Sequence, residues 1–137
     1  MALRRDYYTT EHDEQVALID WWNAVAAPEY RELLMAIPNG GERNALVGKR
    51  LKAEGVRRGV PDLFLAIPAE GCHGLWIEMK KAGGGMTSKD QKAMLALLRG
   101  QGYKAVVCHG WTAAMLEICT YLAGTEMIRS AEIGGVK

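Results

Sequence analysis

The chain has 137 residues, a formal net charge of +1 and a hydrophobic share of 49%, enough for one domain with a real core and ordinary for a soluble globular protein. No apolar run is long enough to span a bilayer and no apolar signal region follows Met1 to Arg5, which argues against a membrane protein and leads us to expect a cytoplasmic one. Near-neutral charge excludes a molecule that attracts polyanions over its whole surface, so any affinity for nucleic acid has to come from a local patch.

Residues 1–10 read as an irregular lead-in. Thr10 is placed to N-cap a helix, with Asp13 at the third position of a capping box. That helix is expected over Glu11 to Ala27, ending before Pro28, with Leu18, Trp22 and Val25 as its buried stripe. Glu14 lies one turn before Leu18 on the same side. Taken alone, it reads better as a solvated first-turn acid that complements the helix dipole than as an acid aimed inward at a site.

Leu33 to Ile37 is a strand, closed by Pro38-Asn39-Gly40-Gly41, which reads as a strand-to-helix turn. A basic helix follows from about Glu42 to Glu54, with Gly55 as its C-cap. It carries Arg43, Lys49, Arg50 and Lys52, and Arg57 and Arg58 come just after. A basic run is usually a solvated face. This one leads straight into the most chemically loaded stretch of the chain, which favours phosphate contact.

That stretch is Gly59 to Ile67 followed by Leu75 to Lys80, two segments of strand composition joined by the turn-rich Pro68 to Gly74. A hairpin with its tip near Gly71 sets Asp62 opposite Lys80 and Phe64 opposite Glu78. Glu78 and Lys80 share a face because side chains alternate along a strand. Two carboxylates and an ammonium then converge, a set able to hold a hard divalent cation on oxygen and place a lysine beside it.

Lys81 to Gly85 is a flexible connector. Ser88 and Gln91 form a second capping-box pattern, so Gln91 has a structural explanation without chemistry. Met94, Leu95, Leu97 and Leu98 supply the core face of the helix that follows. Tyr103 to Cys108 reads as a strand and Trp111 to Leu122 as a last helix, whereas residues 124–137 show no clear period. The expectation is a single domain over 1–137, with its core about 11–123 and a tail at 124–137. The order of elements fits an α/β fold, a mixed central sheet flanked by helices, and the hairpin rules out a purely parallel sheet.

Other groups carry less. Three cysteines without close spacing point to reduced thiols. Cys72-His73 and Cys108-His109 lack a Cys-x-x-Cys partner, which argues against zinc. Cys119 reads as core, and Trp21, Trp22 and Trp76 read as packing groups.

Pro61-Asp62 followed by Glu78-Met79-Lys80 resembles the motif of the PD-(D/E)XK nuclease superfamily. Ile37 to Gly41, the Lys-rich helix ending at Gly55-Val56, Gly59 to Leu63, and Gln91 on the next helix together resemble the VRR-NUC family. The resemblance implies a restriction-endonuclease-like core and a cofactor of Mg²⁺ or Mn²⁺. It implies Asp62, Glu78 and the backbone carbonyl of Met79 as metal ligands and Lys80 as the catalytic lysine. Glu14 matches the family's acid on the first helix, which reverses the reading of that residue made above. Gln91 matches its glutamine and gains a catalytic role beside capping. Asn39, Arg43, Lys49, Arg50, Lys52, Arg57 and Arg58 form the nucleic-acid-binding set. Stand-alone members come largely from phages and bacteria, resemble junction resolvases and tend to be homodimers.

The leading expectation is therefore a metal-dependent endonuclease acting on branched DNA such as four-way junctions. A sequence-specific restriction or homing-type enzyme is disfavoured, since a chain this short shows no recognition insert. A silent DNA-binding module is disfavoured by the intact Asp62, Glu78 and Lys80, because binding alone does not need all three.

Overall fold

A computed structural model describes residues 9–38 and 45–125. Asn39, Gly40, Gly41, Glu42 and Arg43, with most of the tail, lie outside the described residues. Five helices and four strands follow one another in this part of the chain: α1 (Glu11–Val25), α2 (Pro28–Arg31), β1 (Leu34–Ala36), α3 (Ala45–Ala53), β2 (Leu63–Leu65), β3 (Leu75–Lys80), α4 (Lys89–Gly100), β4 (Lys104–His109) and α5 (Trp111–Leu122).

Local chemistry explains the ends of these helices. The Thr10 hydroxyl accepts from the Asp13 N–H at 3.1 Å while the Asp13 carboxylate accepts from the Thr10 N–H at 3.1 Å, so the first capping box is complete. Ser88 and Gln91 form the second. Gly55, just past α3, has φ of 101°, the left-handed conformation that a C-terminal glycine supplies without strain. The short α2 was not expected; Pro28 opens it, a position where the missing N–H costs nothing.

The strands form one mixed sheet in the order β1-β2-β3-β4, antiparallel except for the parallel β3–β4 pair. Leu63 pairs with Ile77, Phe64 with Trp76 and Leu65 with Leu75. The expected hairpin is present, but its register differs by two residues, so Asp62 comes level with Glu78 instead of Lys80. Two local features account for this. The turn centres between Glu70 (φ 52°) and Gly71 (φ 73°), flanked by the Ala69–Cys72 bridge, instead of on Gly71. One extra residue then lies on the β2 side between that bridge and the Leu65–Leu75 pair. A shift of two preserves the alternation of faces, so Glu78 and Lys80 keep their shared side.

The odd-numbered residues of β3, Leu75, Ile77 and Met79, are at most 1% exposed and join Leu63 and Leu65 in the main core. α1 and α5 cover this face with Leu18, Trp22, Ile118, Tyr121 and Leu122. The Tyr121 hydroxyl donates to the Ile67 carbonyl at 2.6 Å and accepts from the Ala69 N–H at 3.0 Å, tying the hairpin to α5. α4 packs on β4, where Leu95 and Ala105 are buried outside the main core. Leu97, expected in the core, is 66% exposed, because the buried stripe of α4 runs through Met94, Leu95 and Leu98 and Leu97 falls outside it. Val25 is only half-buried, and the neighbouring Ala26 takes the buried place at the end of α1.

Candidate active site

Where β2 begins, the antiparallel ladder meets a proline. Leu63, opposite Ile77, faces β3; the Asp62 carbonyl faces β1, accepting from the Ile37 N–H at 2.8 Å. Continuing the register places Pro61 opposite Met79. Proline has no N–H to give the Met79 carbonyl. The Lys80 carbonyl turns the other way, accepting from the Gly110 N–H at 2.8 Å, so the Met79 carbonyl faces the β2 side. The Met79 N–H on that side donates to Asp62 Oδ2 at 2.7 Å. One proline thus opens the sheet beside the Asp62 carboxylate and the Met79 backbone.

Glu78 and Lys80 project from the opposite face of β3 to the core, yet are only 3% and 6% exposed. Lys80 Nζ lies 3.7 Å from Glu78 Oε2 and donates to Gln91 Oε1 at 3.1 Å. The same Gln91 oxygen accepts from the Ser88 N–H at 2.9 Å, so the capping role and the contact with Lys80 coexist. Burial and the neighbouring Asp62 carboxylate push the Glu78 pKa up to about 8, against a smaller opposing pull from Lys80.

Asp62, Glu78 and Gln91 line a cleft of about 860 Å³. Lys49, Lys52, Arg57 and Arg58 line the same cleft. The four cations are exposed, and none is in an ion pair among the described residues. Arg50 is exposed but does not line the cleft. The expected binding residues Asn39 and Arg43 lie outside the described residues.

Two of the acids of α1, Glu14 and Glu11, separate sharply. Glu14 is 5% exposed, and so is not a solvated acid. Its Oε2 accepts from the Trp111 N–H at 2.6 Å and its Oε1 from the Thr9 hydroxyl at 3.0 Å. Gly110 precedes α5 and offers no capping side chain, so Glu14 caps that helix from across the fold. Glu11, one turn earlier, lines the cleft and acts on Glu78 as a neighbouring negative charge. A Cβ built on Gly85 would lie 3.2 Å from Lys80 Cδ and 3.7 Å from Glu11 Oε1, so Glu11 shares this corner with the lysine. Reading the sequence missed Glu11. Spacing alone does not separate the two, because Glu11 and Glu14 stand seven and four residues before Leu18 and both fall on its side of the helix.

Among the described residues, no three Asp, Glu, His or Cys side chains form a ready-made metal cage. Mg²⁺ seldom needs one, since it retains waters and takes one or two carboxylates plus substrate oxygens. Asp62, Glu78 and the Met79 carbonyl are all hard oxygen donors, and the raised Glu78 pKa marks a buried carboxyl group short of positive charge. The residues fit a magnesium- or manganese-type ion. The two Cys-His pairs do not gather into such a site, and burial pushes the Cys108 thiol up to about 12, which leaves it inert.

A mixed sheet with paired acids, a lysine and a glutamine beside a basic-walled cleft is the architecture of an α/β nuclease. The VRR-NUC domain profile matches residues 9–112, most of the chain. The protein belongs to the VRR-NUC family, and its function is of the nuclease type. A solved structure titled VRR_NUC domain protein is similar, with 29% identity, a TM-score of 0.71, and coverage of 83% of this chain and 88% of that one. No curated protein matches the chain. No helix among the described residues is long and apolar enough to cross a membrane.

Proposed function

We propose that this protein is a divalent-metal-dependent endonuclease that hydrolyses phosphodiester bonds in branched DNA such as four-way junctions, working as a homodimer in the cytoplasm of a bacterium or phage-infected host. The observation that carries the reading is that Asp62, Glu78 and Gln91 line one cleft together with Lys49, Lys52, Arg57 and Arg58, while Lys80 contacts Glu78 and Gln91 and the Met79 N–H contacts Asp62. Asp62, Glu78 and the Met79 carbonyl would hold Mg²⁺ or Mn²⁺, with Glu11 as the first-helix acid in place of Glu14. When bound, the ion neutralises phosphate charge and acidifies water at the site.

The protein's own groups supply the rest. Gln91 fixes the Lys80 ammonium. Lys80 then donates to the scissile phosphate or to the attacking water, where negative charge develops. Lys49, Lys52, Arg57 and Arg58 grip flanking phosphates without reading bases. One domain carries one such site, so paired incisions across a near-two-fold junction require two copies, most simply a C2 dimer.

The test offers the purified protein labelled four-way junctions, flaps, splayed arms, plain duplex and single strands, with and without Mg²⁺ or Mn²⁺. Cleavage is expected only with metal and fastest on junctions. Equal rates on plain duplex would remove the branched substrate, and no cleavage on any substrate would remove the enzyme.

A further inference from the structure

The loop that delivers Asp62 touches the helix that delivers Gln91, and it does so through Gly59. Gly59 has φ of 78°. A Cβ built on it would sit 2.3 Å from the Asp90 carbonyl oxygen, 2.5 Å from the Asp90 carbonyl carbon and 2.8 Å from the Gln91 nitrogen. All three are backbone atoms of the first turn of α4, so no side chain can rotate out of the way. Gly55 has a comparable φ of 101°, with nothing within 4 Å of its Cβ position. Positive φ alone therefore explains Gly55, whereas Gly59 also permits direct backbone contact between two site-bearing segments.

We infer that Gly59 is a positioning residue: its bare backbone sets how closely the first turn of α4 approaches the Asp62 loop, and thereby places the Gln91 oxygen on the Lys80 ammonium. The inference rests on the nuclease reading for its kinetic consequence and on the coordinates for its geometric one. An alanine at 59 forces the α4 turn back by about 1 Å to regain van der Waals separation. The Lys80–Gln91 hydrogen bond, 3.1 Å long, does not survive such a displacement. Misplacement of that size typically costs about 100-fold in rate.

The experiment compares Gly59→Ala, Gly55→Ala, Gln91→Ala and the Gly59→Ala/Gln91→Ala double variant. It measures junction cleavage, metal affinity by calorimetry, and the ¹⁵N signal of the Lys80 ammonium. Gly59→Ala is expected to cut about 100-fold more slowly, to bind metal within about twofold of wild type, and to shift the ammonium signal as Gln91→Ala does. On top of Gln91→Ala its kinetic effect should largely vanish, as for groups acting as one unit. Gly55→Ala carries similar backbone strain and should leave both rate and signal unchanged. Should Gly59→Ala fail to fold, Ser88→Ala loosens the same turn and is expected to slow cleavage and shift the signal in the same direction. Cleavage at wild-type rate by Gly59→Ala, or by Ser88→Ala in its place, overturns the inference, as does full additivity with Gln91→Ala. If the wild-type protein cuts no DNA, the nuclease reading falls, and the ammonium signal still decides the role of Gly59.

Discussion

Toward its C-terminal end β3 is buried on both faces, and the two faces carry opposite chemistry. Leu75, Ile77 and Met79 are at most 1% exposed, and their side chains belong to the main apolar core. Glu78 and Lys80 are 3% and 6% exposed, and each carries an ionisable group. Burial stabilises the first face through the removal of apolar surface from water. On the second face, burial raises the cost of charge, and the nearby groups only partly offset it. The strand thus anchors the fold on one side and holds ionisable, poorly solvated groups on the other. Burial alone does not tell a structural residue from a functional one; the partner groups do.

Breaking the charged face should give the largest effect. Glu78→Ala removes an anionic ligand, so metal affinity and cleavage should both collapse while the melting temperature holds or rises. The same residue sets a pH dependence. Its folded pKa, about 8, lies above the ordinary value of 4.5. The protonated form therefore favours folding: this contribution is complete below about 4.5 and is lost as pH rises through about 8. The metal-free protein should melt lower at high pH than at neutral pH, and Glu78→Gln should flatten that slope. Below pH 8 a metal ion has to displace the Glu78 proton, so affinity should climb with pH and level off above 8.

Breaking the apolar face should act on stability instead. Ile77→Ala is expected to cost about 2–5 kcal/mol in denaturant unfolding, leaving metal affinity intact in the fraction that remains folded.

The α1 acids sharpen the contrast one level down. Glu14→Ala removes a buried, charged cap from α5 and should cost about 1.5–3 kcal/mol. Glu11→Ala, at the cleft, should change stability by about 0.5 kcal/mol or less and instead lower cleavage. If Glu14→Ala kept full stability and lost metal binding, the assignment of the two acids would be reversed.

The smallest effect belongs to the basic wall. Arg57→Ala with Arg58→Ala should weaken DNA binding evenly across sequences and flatten its salt dependence by up to about two counterions. An unchanged slope would move the DNA to another surface.

Much of this arrangement is legible from residue order. Alternation along Leu75 to Lys80 separates the two faces, and the capping boxes at Thr10 and Ser88 place two helix starts correctly. What was not legible depends on tertiary geometry. The register of the hairpin depended on an extra residue before the turn, which composition does not show. Glu11 and Glu14 lie one turn apart, so only the seating of α1 on α5 decides which reaches the cleft. The bearing of Gly59 on Gln91 joins residues far apart in sequence, and no local pattern announces it.

The central claim, that the charged face of β3 divides metal holding from chemistry, is tested most directly by Lys80→Ala. Metal titration and junction cleavage should be measured on the same sample. Removing the ammonium takes a cation out of an acidic cluster, so metal affinity should hold or increase. Cleavage should fall by about 10²–10³-fold, because the phosphate or water loses its positioned donor. Cleavage at near wild-type rate with metal bound would contradict the account.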